Sequence, residues 1–136
     1  MIRLIVGKKG SGKTKRLIEE INSAEREEHG HIVCIEKSAK LTFDINHNVK
    51  LIDSDDYGIN SFDELYSFIA GVNAANYDTT KIFIDNCLKI GGKDLLKFAE
   101  FIERLGALSE DTLVQYTLTV SAEKEELPES VMNYVV

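Results

Sequence analysis

Short apolar runs alternate with amphipathic segments along most of the chain, and this alternation predicts the order of strands and helices. The four strongest strand candidates are residues 2–6 (IRLIV), 31–36 (HIVCIE), 81–85 (KIFID) and 113–120 (LVQYTLTV). Their length and their β-branched content are typical of buried strands. Weaker strand candidates lie at residues 41–43 and 49–53, around a polar turn.

Apolar residues at helical spacing predict helices between these strands. The predicted helices are residues 13–28, a segment that begins at Ser61, residues 94–105, and a short last helix with Pro128 in its first turn. Glu64 lies three residues after Ser61 and completes a capping box. Gly30 and Gly106 are placed to end the first and third helices. The pattern does not decide whether the final residues, YVV, form a further edge strand.

Strands that alternate with helices predict an α/β sandwich, in which a mainly parallel sheet of about five strands carries helices on both faces. The length of 136 residues suits a single domain over residues 1–136. Ligands in such folds bind at the carboxyl ends of the strands. The residues that follow each predicted strand are therefore the first places to look for chemistry.

Residues 7–14 (GKKGSGKT) follow the first predicted strand and match the pattern G-x-x-x-x-G-K-[ST] in full. The glycines let backbone N–H groups turn toward phosphate oxygens, and the N-terminus of the next helix favours negative charge. Lys13 is expected to reach the β- and γ-phosphates, and the Thr14 hydroxyl to bind Mg²⁺. The positions expected to bind the nucleotide are Gly7, Lys8, Lys9, Gly10, Ser11, Gly12, Lys13 and Thr14.

Asp85 ends the apolar strand KIFID, about seventy residues after the glycine-rich loop. A carboxylate at this place is expected to approach the Mg²⁺ that Thr14 binds, usually through a water molecule. Many strands also end in an aspartate that only caps a turn. The pairing with the loop favours the metal site.

These two segments resemble the Walker A and Walker B motifs of P-loop NTPases. The resemblance implies a P-loop fold that binds ATP or another NTP with Mg²⁺, as in a small single-domain bacterial ATP-binding protein. The chain lacks the Asn-Lys-x-Asp motif of GTPases. It is more similar to the branch that includes RecA-like and AAA ATPases, in which an additional strand lies between the Walker A and Walker B strands. Residues 113–120 are similar to that strand, and Thr119 or Ser121 would be its polar sensor, unless both only cap a turn.

The same resemblance raises the question of the catalytic base. Many members of the branch place a glutamate directly after the Walker B aspartate, but Asn86 stands there and cannot act as a base. RecA-like members place the glutamate after the strand that follows the Walker A helix, where this chain has Glu36. Glu36 is thus the candidate base, and its alternative role is a solvent-facing strand end.

The residues described above are compatible with three functions. The first is slow NTP hydrolysis or a nucleotide-dependent switch. The second is a non-hydrolysing module whose state a protein partner or a second copy reads. The third is a small-molecule kinase, since the opening is similar in layout to that of thymidine kinases. The chain lacks their cysteine pairs, however, and contains only four arginines.

Composition indicates which partners and which cell compartment suit these functions. The net charge of −7 disfavours broad nucleic-acid binding, which usually needs a basic surface. Cys34 and Cys87 lie in or beside apolar runs, so we expect two buried thiols in a reducing cytoplasm. The apolar runs are too short to span a membrane.

Overall fold

The computed structural model describes residues 1–27, 30–38 and 44–136, which contain five strands and four α-helices. The strands are β1 (Ile2–Gly7), β2 (His31–Glu36), β3 (Lys50–Asp53), β4 (Thr79–Ile84) and β5 (Gln115–Ser121). The helices are α1 (Lys13–Glu27), α2 (Phe62–Ala75), α3 (Cys87–Gly91) and α4 (Leu95–Thr112). Short 3₁₀ segments lie at Ser54–Tyr57, Lys124–Glu126 and Glu129–Tyr134.

All five strands form one parallel sheet in the order β1-β5-β4-β2-β3. The strand predicted to separate the Walker A and Walker B strands is β5, which pairs with β1 on one side and β4 on the other. The parallel α/β sheet is therefore confirmed. Because the strands are parallel, the carboxyl ends of β1, β5, β4 and β2 lie along the same edge of the sheet.

Helices cover both faces of this sheet, and each face has its own hydrophobic core. Helix α1 packs with the smaller core, where its buried stripe meets Ile5, Cys34 and Phe83. Helices α2, α3 and α4 contribute to the larger core on the other face, which includes Leu4 and Leu118. Successive strand residues alternate between the two cores, so a residue's position in its strand determines the helix that it faces.

The start of α2 differs slightly from the predicted capping box. Ser61 is the N-cap, and its Oγ accepts a hydrogen bond from the Glu64 N–H at 3.1 Å. The Glu64 carboxylate, however, accepts from the N–H of Asn60 at 2.9 Å, one residue before the position that the box requires. The predicted start of the helix is confirmed, with a displaced second bond.

The predicted end of α4 at Gly106 is wrong, since the helix continues to Thr112. Leu105 and Ser109 are both buried, so the inward face continues past the glycine. The packing of this extra length outweighs the cost of one helical glycine, about 1 kcal/mol. The helix ends instead at Leu113, which adopts a left-handed conformation with φ 63°.

The remaining predicted boundaries shift by one or two residues or fall outside the described ranges. Strand β5 begins at Gln115 rather than at residue 113. Glu28 and the strand predicted at residues 41–43 lie outside the described residues. Pro128 precedes a 3₁₀ segment rather than opening an α-helix. Of the final residues, Val135 forms a parallel bridge with Leu4 at the free edge of β1.

Both cysteines are buried and free, as predicted. Burial raises the pKa of the Cys34 and Cys87 thiols well above the usual range. In the described part of the chain, no helix combines the length and the apolar character that crossing a membrane requires.

Candidate functional site

The glycine-rich loop connects β1 to α1, and two of its glycines adopt conformations that other residues rarely take. Gly10 and Gly12 have φ values of 86° and 88°. Without a Cβ these residues enter the left-handed region without steric cost. The Ser11 N–H donates to the Lys8 carbonyl at 3.1 Å, and the Arg16 N–H donates to the Gly12 carbonyl at 3.1 Å. The loop is thus a tight turn that leads directly into the first turn of α1.

Lys13 lies inside this loop and is only 8% exposed. Its ammonium donates a hydrogen bond to the Lys8 carbonyl at 2.8 Å. Burial lowers the pKa of Lys13, and the negative charge of Asp85 offsets part of that effect. Among the described residues no carboxylate forms an ion pair with Lys13. Its positive charge is therefore available to an anionic ligand in the loop.

Asp85 follows the central strand β4 and forms hydrogen bonds with both α1 and the neighbouring strand β5. The Thr14 hydroxyl lies 3.3 and 3.4 Å from the two Asp85 carboxylate oxygens. The Thr119 hydroxyl donates to Asp85 Oδ1 at 2.7 Å and accepts from the Asn86 N–H at 2.6 Å. The Asp85 N–H donates to the Ile35 carbonyl at 2.9 Å. These bonds fix the carboxylate beside the start of α1, so residues that are distant in sequence form one polar cluster.

The donor set of Thr14 and Asp85 fits a magnesium ion that is shared with phosphate groups. Mg²⁺ prefers oxygen ligands and is usually held by one or two protein groups, substrate phosphates and waters. Across residues 1–27, 30–38 and 44–136, no three His, Cys, Asp or Glu side chains cluster to form a protein cage for a metal. One hydroxyl and one carboxylate are what a phosphate-dependent site requires.

Glu36 is the last residue of β2 and is only 3% exposed. The preceding residue, Ile35, is paired with Ile84, so Glu36 and Asp85 are neighbours at the carboxyl edge of the sheet. Strand alternation places both on the sheet face that α1 covers. The alternative role of Glu36 as a solvent-facing strand end is wrong, because the side chain is buried.

Asn86 has a backbone conformation that the sequence pattern did not reveal. With φ 52° and ψ 59° it lies in the left-handed region, directly before α3, and its side chain makes no capping hydrogen bond. Asparagine tolerates this region better than most residues do. The left-handed backbone therefore explains why asparagine suits this position, apart from the fact that asparagine carries no carboxylate. Cys87, Leu88 and Ile90 are buried in α3, where the sequence pattern predicted no helix.

A cavity of about 400 Å³ lies over the loop. It is lined by Lys9, Gly10, Gly12, Lys13, Thr14, Lys15, Asn86, Thr119 and Ser121. Five of the eight predicted nucleotide-binding positions therefore face one space, together with both candidate sensor residues. The Lys8 side chain is turned elsewhere and pairs with Glu123 at 2.8 Å.

Comparison with known proteins identifies the fold and no family. Neither a protein-family model nor a curated protein matches this chain. The fold is similar to that of FlaH. The crystal structure of the flagellar accessory protein FlaH from Methanocaldococcus jannaschii superimposes with a TM-score of 0.61 at 14% sequence identity. The match covers 97% of this chain and 65% of the FlaH chain, so this chain spans less than two thirds of that protein.

Proposed function

We propose that this chain binds a nucleoside triphosphate, ATP in the first instance, with Mg²⁺, and acts as a slow NTPase or a nucleotide-dependent switch. The observation that carries the proposal is the cluster of Thr14, Asp85 and Thr119 beside a glycine loop with the buried Lys13, which forms no ion pair with a carboxylate of the described residues. The similarity in fold to FlaH fits a nucleotide-binding role in general terms.

Each residue of the site has a separate task in this proposal. The loop N–H groups and the N-terminus of α1 receive the phosphates. Lys13 exchanges its bond with the Lys8 carbonyl for bonds to the β- and γ-phosphates. Thr14 and Asp85 would hold Mg²⁺, which neutralises phosphate charge when it is bound. Positioning and charge stabilisation of this kind supply most of the catalysis at phosphoryl-transfer sites.

Glu36 is the proposed base for hydrolysis. Its carboxylate lies at the end of the strand beside Asp85, on the face that α1 covers. A buried carboxylate at this position can orient an attacking water and accept its proton. Asn86 cannot do so, because an amide has no basic oxygen. A site with its base on the neighbouring strand and none after Asp85 is expected to turn over slowly.

Calorimetry and product detection test the proposal together. ATP, GTP, their diphosphates and dNTPs are titrated with and without Mg²⁺ into wild type, Lys13→Ala and the matched control Lys50→Ala, which removes an exposed lysine from β3. We expect wild type and Lys50→Ala to bind, and Lys13→Ala to lose at least about tenfold in affinity. Equal binding by all three proteins, or no binding by any, would overturn the proposal.

A second function is favoured by Asn86, because its amide stands directly after Asp85, where a carboxylate base would be expected. The chain would then bind nucleotide without hydrolysis, and a protein partner or a second copy would read the bound state. Tight binding with no product over many hours supports this function. Glu36→Gln separates the two, because it lowers turnover only if Glu36 is the base.

The cysteines fit a reducing cytoplasm as the place of this activity. Both thiols are buried and unpaired, and cytoplasmic proteins usually keep their cysteines reduced. We therefore propose this compartment for the protein, and the assays above are best run with a reductant.

A further inference from the structure

A second cavity, of about 580 Å³, adjoins the loop cavity on the side of α3. The two cavities share Lys9, Asn86 and Ser121 in their walls. The second one continues along α3 and the segment after β5, and its size lies within the range of small-molecule sites. Apart from these three shared residues, its walls lie outside the phosphate site described above.

The shared walls place this cavity at the γ-phosphate end of the proposed nucleotide, a placement that rests on the proposed function. Thr14 and Asp85 would hold Mg²⁺, which would neutralise charge on the terminal phosphates of the nucleotide. Asn86 follows Asp85 in sequence, and its N–H is bonded to Thr119, which is in turn bonded to Asp85. A ligand in the second cavity would therefore lie next to the terminal phosphate.

The walls of the second cavity carry an excess of positive charge. Lys9, Lys89 and Lys93 line it and are exposed. Among the described residues no carboxylate forms an ion pair with any of the three, whereas the neighbouring Lys8 pairs with Glu123. Glu126 is the one acidic residue in the lining, and its carboxylate already accepts a hydrogen bond from the Glu123 N–H at 2.9 Å. Three unpaired lysines in a chain of net charge −7 form a local attraction for anions.

The floor of the cavity is apolar. Leu88 and Ala122 are 7% and 8% exposed, and Leu95 is half-buried beside them. The left-handed Asn86 starts α3, and Gly92, with φ 110°, ends it. This short helix with its two turns therefore brings Lys89 and Lys93 to one cavity. Charged groups over an apolar floor are typical of sites for small organic anions.

We propose that this cavity binds a small organic dianion, either a phosphate ester or a dicarboxylate, next to the nucleotide. Lys89 and Lys93 bind its charged groups, and Leu88, Leu95 and Ala122 contact its carbon skeleton. Lys9 lies at the boundary and can contact both ligands. Binding of one ligand is then coupled to the affinity for the other, because both use this lysine.

Amide NMR on a Lys13→Ala background tests the cavity separately from the loop. Glycerol 3-phosphate and succinate are titrated as the two probes, one for each source of negative charge. We expect saturable shifts at residues 87–95 and 121–126 with at least one probe. In this background Lys89→Ala/Lys93→Ala should weaken binding by about tenfold or more. The control Lys50→Ala/Lys97→Ala removes the same charge outside the cavity and should stay within about twofold.

Each outcome of the titration either supports or overturns the proposed dianion site. Saturation with one probe alone identifies the phosphate ester or the dicarboxylate as the ligand class, and saturation with both supports a general dianion site. Shifts that do not saturate, shifts confined to residues 9–15, or equal binding by both double variants overturn the proposal. If wild type binds no nucleotide and the titration still saturates, the proposed function fails while the second site stands.

Discussion

Lys13 shows how a residue proposed to bind phosphate can oppose stability when no ligand is present. The side chain is largely buried, and among the described residues its ammonium is stabilised by the Lys8 carbonyl and by the more distant charge of Asp85. Burial of a charged group is unfavourable, and the lowered pKa of Lys13 expresses that cost. The folded protein without nucleotide is therefore expected to be less stable than the same fold without this charge.

The variant Lys13→Met tests this expectation, since it keeps an unbranched apolar stem and removes the charge. Without nucleotide we expect its melting temperature to equal or exceed that of wild type, while the stabilisation by nucleotide disappears. Folded Lys13 releases its proton below the ordinary lysine pKa of 10.5, so the unfolded state binds more protons in that alkaline range. Wild-type stability should thus rise relative to Lys13→Met as the pH approaches 10.5. A variant that melts lower at every pH would contradict this.

Thr119, in contrast, is expected to stabilise the folded protein, because its hydroxyl donates a hydrogen bond to Asp85 and accepts one from the Asn86 N–H. Thr119→Val keeps the shape, removes the bond to Asp85, and leaves the Asn86 N–H without its acceptor. We expect the free energy of unfolding in urea to fall by about 1–3 kcal/mol, the usual cost of an unsatisfied buried group.

The matched control for Thr119 is Thr117→Val, two residues earlier on the same face of β5 and also buried. It should change the free energy of unfolding by less than about 1 kcal/mol, because it removes no bond to Asp85 or Asn86. Equal losses in the two variants would show that strand packing, rather than the Asp85 cluster, explains the effect of Thr119.

At the scale of elements, two helical glycines are expected to respond in opposite ways to alanine. A Cβ on Gly106 in α4 would lie 3.6 Å from Ile2 and 3.7 Å from the Tyr134 hydroxyl, which are ordinary contacts. Gly106→Ala should therefore raise the free energy of unfolding by about 0.5–1 kcal/mol through the better helix propensity of alanine. A Cβ on Gly91 would overlap the buried Phe62 ring, so Gly91→Ala should lower it by about 1–3 kcal/mol. Urea unfolding of both variants measures the contrast, and a loss in both would contradict the contacts of Gly106.

The strands were the most predictable elements. Apolar, β-branched runs mark β1, β2, β4 and β5, since strands buried on both faces require such residues. Helix ends were less predictable. Gly106 looks like a stop signal, but packing at Leu105 and Ser109 carries α4 past it. Helix α3 has only five residues, too few for a helical period to show in the sequence.

The juxtaposition of Thr14 and Asp85 was predictable from one rule, that the carboxyl ends of parallel strands meet at one edge. The conformation of Asn86 and the burial of Glu36 could not be predicted, because both depend on contacts between strands. The cavity beside α3 was also missed, since Lys89 and Lys93 read in sequence as ordinary surface lysines.

For the whole molecule, the two cysteines report on opening of the fold. Cys34 lies in the core under α1, and Cys87 in the core on the other face of the sheet. Burial raises the pKa of both thiols, so neither presents a reactive thiolate near neutral pH. We expect a thiol reagent at pH 8 to label native protein only as fast as the fold opens, and to label both cysteines at once in urea. Rapid labelling of Cys87 alone would indicate that α3 opens independently of the sheet.

The pairing of β1 with β5 has a consequence for the order in which the molecule is made. Ile2 pairs with Tyr116, so the strand that precedes the glycine-rich loop has its sheet partner more than one hundred residues later. Contacts between segments so distant in sequence form slowly, because a long chain must first be closed. On the ribosome, the loop emerges more than one hundred residues before the strand that supports it. A nascent chain that stops short of β5 would therefore carry the glycine-rich motif without the strand that supports it.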